Sequence, residues 1–300
     1  MLIFFQQLIN GITLGSFYAL IALGYSMVYG ILKLINFAHG EIFTAGAYVG
    51  LTTLVTLLLW GVNIFVALLG SFLLAMGYSA LLGVMIERVA YRPLRASSRI
   101  TALLSALGMS IFLQNGMMLA QGAQAKNYPH LFTHQAFYLG EIKLTALQLF
   151  IIVLTILLML ALQAFIQQTT LGKAMRATSQ DIEMAEMLGI DVNKVIALTF
   201  LIGSALGGAA GVMVGLYYGP IEFDMGFILG IKAFAAAILG GIGNIRGAML
   251  GGLLLGLIEA MATAYISSEY KDVYAFIMLI AVLYFRPTGL LGEELREETV

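Results

Sequence analysis

The chain has no cysteine, so disulfides, thiolate metal sites and cysteine nucleophiles are excluded. Charge is scarce: Asp, Glu, Lys and Arg make up 10% of 300 residues, with a formal net charge of −1. A water-soluble domain carries roughly 25% charged residues, so there is too little polar surface here to clothe a globule in water. A near-zero net charge also gives no footing for nucleic acid. No Lys or Arg precedes Lys33. A cleavable signal peptide needs a basic stretch before its apolar run, and the first segment therefore reads as a retained span. Phosphate-binding and hydrolase motifs are missing too. Gly172-Lys173 is followed by Ala174 with no phosphate-cradling loop before it, and neither G-x-S-x-G nor H-E-x-x-H occurs. If ATP drives any process here, another chain must hydrolyse it. No metal or other cofactor is expected, because His39 has no ligand partners and His130 and His134 fall on the other side of the membrane.

What is abundant is apolar: 61% of residues are hydrophobic, and mean hydropathy is +0.96. A spanning helix needs ~20 mostly apolar residues. The runs that qualify or nearly so are Leu8–Leu32, Ile42–Trp60, Ile64–Ile86, Ile100–Gln121, Leu144–Ile166, Val195–Tyr217, Phe227–Ile242, Ala248–Ile266 and Val273–Phe285. The last three are short or interrupted by glycine, which suits re-entrant or broken helices. The fold class is therefore all-α: one polytopic membrane domain over 1–300 with about eight or nine spans.

Orientation follows from basic residues, which concentrate in cytoplasmic loops. Arg88, Arg92, Arg95 and Arg99 share one connection, Lys173, Arg176 and Lys194 another, and Arg286 and Arg296 follow the last span. These segments face the cytoplasm, and loops 122–142 and 218–226 face outside. Nine crossings put the N-terminus outside; splitting Leu8–Leu32 into two pieces would move it inside.

Two glycine-rich halves are visible, about 1–121 and 195–286, joined through a cytoplasmic stretch at 167–194. Gly30 to Gly40 contains Asn36 and His39; Gly240 to Gly247 contains Asn244 and Arg246. Each half places an Asn shortly before a basic or imidazole group and a Gly, then a small-residue span. This is a weak internal repeat of the kind transporters use. Gly203, Gly207, Gly211 and Gly215 recur every fourth residue, as do Gly243, Gly247 and Gly251. Lipid tails are as apolar as Leu, so close packing through small residues holds such helices together.

Polar residues inside spans are the candidates for a pathway. Asn36, His39 and Glu41 lie between the first two spans and fit a helix break, with Asn36 expected to satisfy freed backbone groups. Asn244 and Arg246 occupy the corresponding place in the second half. Glu259 sits midway along its span, where a carboxylate costs ~2.5–3.5 kcal/mol on insertion scales and faces protein or water. It could line a pathway, meet a substrate ammonium, or pair with Lys232 or Arg246. Gln114 and Asn115 read as interhelical hydrogen-bond partners.

The stretch 167–194 holds a short helix of about ten residues, with Thr178 and Ser179 placed to cap its start, Asp181 and Glu183 in its first turn and Gly189 at its stop. Ile182, Met184, Ala185, Met187 and Leu188 give it an apolar face that needs a cover: its own bundle, lipid or a partner. From these residues alone an ion-coupled secondary transporter or a channel also stays open. An intramembrane enzyme lacks paired nucleophile and base.

Several motifs occur together in one order. They are Ile35-Asn36-Phe37-Ala38-His39-Gly40-Glu41, Glu87-Arg88-Val89-Ala90-Tyr91-Arg92-Pro93-Leu94-Arg95, Leu171-Gly172-Lys173-Ala174-Met175-Arg176-Ala177, Gly240-Gly241-Ile242-Gly243-Asn244, and Arg286-Pro287-Thr288-Gly289-Leu290-Leu291-Gly292. In this order the chain resembles, along nearly its whole length, the permeases of high-affinity branched-chain amino-acid ABC importers. The second motif points to the H-type of the two permease subunits. The resemblance implies a non-enzymatic permease in a bacterial inner membrane. It also implies a sister permease as heterodimer partner, two cytoplasmic ATPases and an extracytoplasmic substrate-binding protein. Residues 172–191 would form the ATPase-coupling segment, which makes Lys173, Arg176, Asp181, Glu183, Glu186, Met187 and Gly189 the coupling candidates. Urea and short-chain amide permeases share the family pattern.

Overall fold

The computed structural model describes residues 2–95, 97–131, 136–139 and 142–292; His134 and Arg296 lie outside them. Helix α1 covers Leu2–Leu32, α2 His39–Leu59 and α3 Ile64–Ile86, the last continued by a π turn at Glu87–Tyr91 and a 3-10 turn at Arg92–Leu94. Then come α4 (Arg99–Gln121), strands β1 (Lys126–Asn127), β2 (Ala136–Leu139) and β3 (Ile142–Thr145), α5 (Ala146–Gln168), α6 (Thr170–Gln180), α7 (Ile182–Met187) and α8 (Val192–Tyr218). Strand β4 (Pro220–Ile221) precedes α9 (Met225–Gly240), α10 (Ile245–Tyr265) and α11 (Lys271–Phe285).

Seven of these helices are long and apolar enough to cross a bilayer. With 16 and 15 residues, α9 and α11 reach only about 24 and 22 Å at 1.5 Å per residue, short of the ~30 Å hydrocarbon core. Helix α10, interrupted by glycine in sequence, is continuous over 21 residues because Asn244 caps it early and accepts from the Gly247 N–H at 3.1 Å. The first span is one unbroken helix of 31 residues. In hydrocarbon every backbone polar group must be satisfied within the protein, and side-chain caps at Asn63, Ser98, Thr145, Thr169 and Asp191 serve the helix starts.

Contacts between loops join segments that the distribution of basic residues assigns to the same face. Strand β1 pairs antiparallel with β4, joining the two loops assigned to the outer face. Gln6, near the start of α1, exchanges hydrogen bonds with the Lys143 backbone on that side. At the other face Arg95 donates to Asn193 at 2.8 Å, joining two segments assigned to the cytoplasm.

Helix α1 is apolar all round and forms the centre of the bundle. It lies antiparallel against α10 with small residues at the seam. A methyl group on Gly11 would come within 2.8 Å of the Leu257 α-carbon, and one on Gly15 within 2.7 Å of the Leu253 α-carbon. Helix α8 packs on α1, α2 and α3 by the same device. Such closeness needs glycine, and it lets backbones meet where lipid supplies no hydrophobic drive.

Candidate functional site

Two of the connections dip back into the bundle. Helix α1 ends at Lys33 in the left-handed conformation (φ 53°), and the chain turns back so that α2 begins at His39 beside Gly24 of α1 and Gly207 of α8. After α8, residues 219–224 return inward, and α9 begins against the start of α2. There Gly226 meets Gly40 and Thr44, and Gly230 also faces Gly40. Two helix N-termini, each a partial positive charge, thus meet inside the protein. Discontinuous helices around a buried site are a recurrent transporter device.

Around this junction lie three of the buried polar candidates. Asn36, His39 and Glu41 are 1%, 1% and 2% exposed. The freed Ile35 carbonyl accepts from the Tyr91 hydroxyl at 3.3 Å, and Asn36 Oδ1 accepts from the same hydroxyl at 3.1 Å. Tyr91, and not Asn36 as expected, therefore satisfies the broken backbone, because its ring reaches in from the π turn that follows α3. His39 stacks edge-on against Tyr25 with centroids 4.9 Å apart. Glu41 Oε1 accepts from Ser110 of α4 at 3.4 Å, while Glu41 Oε2 and the Tyr48 hydroxyl have no hydrogen-bond partner among the described residues. Glu41 and Tyr48 line a cleft of about 200 Å³ between α2, α3 and α4, whose other walls include Tyr78, Phe112 and Met117.

Glu259 belongs to a separate cluster. Lys232 Nζ lies 2.8 Å from Glu259 Oε1 and 2.5 Å from Asp272 Oδ1, and the Tyr18 hydroxyl donates to Glu259 Oε2 at 2.8 Å. One buried cation thus joins α9, α10 and α11, with α1 attached through Tyr18. Arg246 is exposed and Asn244 accepts and donates at the start of α10, giving Nδ2 to the Leu291 carbonyl at 2.8 Å. The six pathway or break candidates therefore fall in three places. Asn36, His39 and Glu41 share the junction, Asn244 and Arg246 the α9–α10 turn, and Glu259 the ion cluster. Asn115 donates to the Ile111 carbonyl of its own helix rather than to a neighbour, since that face of α4 is exposed.

The stretch 167–194 forms two helices instead of one. Thr169 caps α6, whose Gly172, Met175 and Thr178 are buried. Gly172 is needed where α5 turns into α6, since a side chain there would strike the Ile166 backbone. Thr178 and Ser179 do not cap a helix start; their hydroxyls donate to the Ala174 and Arg176 carbonyls within α6. Asp181 is the cap of α7 and accepts from Met184 N at 2.9 Å, so α7 is only six residues long. Gly189 (φ 83°) ends it. Ala185 is buried, while Met184, Met187 and Leu188 are 54%, 81% and 74% exposed. Lys173, Arg176, Asp181, Glu183, Glu186 and Gly189 are exposed on the same segment.

The glycine ridge of α8 does face neighbouring helices. A methyl group at Gly203 would meet Gly24 of α1, one at Gly207 the His39 ring, one at Gly211 the Phe43 carbonyl and Ala47 of α2, and one at Gly215 the Tyr128 ring. Gly243 is not on the α10 ridge with Gly247 and Gly251; it lies in the preceding turn at φ 95°.

Residues 7–283 match the family described as branched-chain amino acid transport system / permease component. The chain belongs to this family. It is 49% identical to the high-affinity branched-chain amino acid transport system permease protein LivH of Escherichia coli K12, covering 97% of this chain and 96% of that protein. With the corresponding protein BraD of Pseudomonas aeruginosa it shares 49% identity over 96% of each chain. Among solved structures, a metal-chelate-type ABC transporter in an inward-facing conformation aligns with a TM-score of 0.51 at 16% identity, over 94% of this chain and 85% of that one, which is a likeness of fold. Seven apolar spans within this permease family make the chain a multi-pass inner-membrane protein.

Three participants were not legible in the family's motifs or in hydropathy: Tyr18, Asp272 and the inward reach of Tyr91. The one available signal was chemical, since a tyrosine hydroxyl within an apolar run requires a partner when buried.

Proposed function

We propose that this permease is one membrane subunit of an ABC importer that carries leucine, isoleucine and valine into the cytoplasm. It acts without enzymatic activity of its own and is driven by two separate ATPase chains. A sister permease completes the membrane part, and an external binding protein delivers the solute. The observation that carries this reading is near-full-length identity of 49% to permeases named for that solute class. The exposed Met184 and Met187 of α7, with Leu188 just after it, support the coupling role, because apolar side chains on a cytoplasmic segment fit a groove on a partner.

The mechanism is a lever. Closure of the ATPases on ATP pushes α6 and α7, and α8 follows directly through Asp191. Helix α8 meets α2 and α3 through glycine, so its shift displaces them as rigid bodies and switches access between faces. Weak holding of the zwitterion inside suits transit, with selection left to the binding protein. The test is purification of the chain from its native membrane with whatever partners it holds, and cysteine cross-linking at 183 or 187. Recovery of ATPases, a Met187→Cys adduct to them, and ATP-dependent leucine uptake are expected. Uptake that survives without ATP but collapses with an uncoupler indicates an ion-coupled carrier and defeats the reading, and selective uptake of urea or amides replaces the substrate class.

A further inference from the structure

We propose that the cleft between α2, α3 and α4 is a transit site for an aliphatic primary ammonium, with the Glu41 carboxylate as its counter-charge. The inference rests on the importer reading above and names the subsite within it. Four observations carry it. Glu41 lines the cleft yet is 2% exposed, and its Oε2 has no hydrogen-bond partner among the described residues. It takes part in none of the ion pairs found among the described residues, unlike Glu87 and Glu259. An unpaired buried carboxylate is costly and is retained where a cation visits. The other walls, such as Tyr78, Phe112, Leu113 and Met117, are apolar or aromatic, which suits a branched aliphatic chain beside the ammonium.

The cleft also has a direction. Its lining runs from Glu41, at the junction where α2 begins, to Gln121 at the outer end of α4. At that outer end Lys126 donates to Gln121 at 2.8 Å and lies 5.8 Å from the Tyr48 ring centre. Glu41 and Tyr48 are two helical turns apart, about 10 Å, so a single α-amino acid cannot touch both ends together. Lys126 receives the solute carboxylate at the mouth, and Glu41 receives the ammonium at the floor. On the other side of Glu41 the Tyr91 hydroxyl donates to Asn36 Oδ1 at 3.1 Å, and in this proposal that contact closes the path. The floor is therefore where a solute entering from outside comes to rest before access switches.

The experiment uses the complete transporter, purified with its partners and reconstituted in vesicles. Leucine uptake by the wild-type complex is measured first; its absence overturns the importer reading and not the site. With wild-type uptake established, Glu41→Gln should slow uptake about ten- to hundredfold, the range of a lost charge-assisted hydrogen bond, while Glu41→Asp restores a large part of it. Val49→Phe, which fills the cleft from a wall residue without touching the carboxylate, should block uptake comparably. A direct readout is labelling of Glu41 by dicyclohexylcarbodiimide, followed by mass spectrometry. Leucinamide, which keeps the ammonium, should slow labelling several-fold, and isocaproate, which lacks it, should not. Wild-type uptake in an assembled Glu41→Gln or Val49→Phe complex overturns the site, as does equal protection by the two compounds. Should Glu41→Gln fail to assemble, Val49→Phe uptake and wild-type protection decide the matter.

Discussion

Replacing Lys232 by Met tests whether the buried ion cluster is a clamp holding α9, α10 and α11. Met keeps the stem of the side chain and removes only the charge. Glu259, 5% exposed, then keeps the Tyr18 hydroxyl and loses its ammonium. At 2.8 Å and an effective dielectric constant near 20, the attraction removed is about 6 kcal/mol before desolvation is counted. Breaking one partner of a buried pair costs ~3–5 kcal/mol net, because the remaining charge is stranded. Glu259→Gln should cost less, about 1–2 kcal/mol. It leaves Lys232 beside Asp272, whose side chain is 43% exposed and so partly solvated, and Gln still accepts from Tyr18. The double variant should cost less than the sum of the two by about 1–3 kcal/mol. Reversible unfolding in dodecylmaltoside–SDS mixed micelles, followed by far-ultraviolet circular dichroism, measures all three. Losses below about 0.5 kcal/mol for Lys232→Met, or strict additivity in the double variant, would refute the clamp.

Tyr91→Phe removes the donor to Ile35 O and Asn36 Oδ1. It should lower stability by about 1–3 kcal/mol in the same assay, and an unchanged unfolding curve would mean that water replaces the hydroxyl. Asp181→Ala removes the cap of α7 and should cost about 1 kcal/mol locally, read as faster hydrogen exchange at Met184 and Ala185 with α8 unaffected. Asp191, held below the usual carboxylate range mainly by its hydrogen bond to the Lys194 side chain, gives a pH signature. Its folded value is the lower one, so its stabilising effect is complete above the ordinary carboxylate range and is lost as pH falls through the depressed value. Exchange at the first amides of α8 should quicken over that interval, and a flat profile speaks against the pairing.

Composition was enough to reveal the all-helical membrane fold, because a bilayer imposes length and polarity rules on every helix; it overstated the spans by counting α9 and α11, which are too short to cross. The glycine ridge on α8 was equally plain at its four-residue spacing, since that period places Gly203, Gly207, Gly211 and Gly215 on one face. Depth was not readable. Nothing in Ile35-Asn36-Phe37-Ala38-His39-Gly40-Glu41 says that α2 starts inside the bundle, because the turn is set by contacts with α1, α8 and α9 distant in sequence. Cap assignment failed at Thr178 for a related reason: hydroxyls within a helix can bond to the preceding turn, and only the chain path shows that Asp181 begins the next helix. Lys232 and Asp272 are 40 residues apart in number order, and their meeting depends on how α9 and α11 flank α10.

The glycines of α8 separate packing from motion, because neighbours on one helix face different obstacles. A methyl at Gly207 would lie 3.4 Å from the His39 ring, which needs only a small adjustment. Gly207→Ala should be neutral or more stable by up to about 1 kcal/mol, as alanine favours helix over glycine. Gly207→Ile extends into that ring and should fail to assemble. At Gly211 a methyl would lie 2.9 Å from the Ala47 amide nitrogen and closer still to the Phe43 carbonyl. These are backbone atoms that no rotamer change can move, so Gly211→Ala must push α2 from α8 and should cost about 1–3 kcal/mol. If α8 also transmits the stroke to α2, Gly211→Ala complexes that do assemble will hydrolyse ATP with reduced leucine uptake, whereas Gly207→Ala will keep the two in proportion. Uptake that stays proportional to hydrolysis in both variants assigns the ridge to packing alone and removes it from the lever.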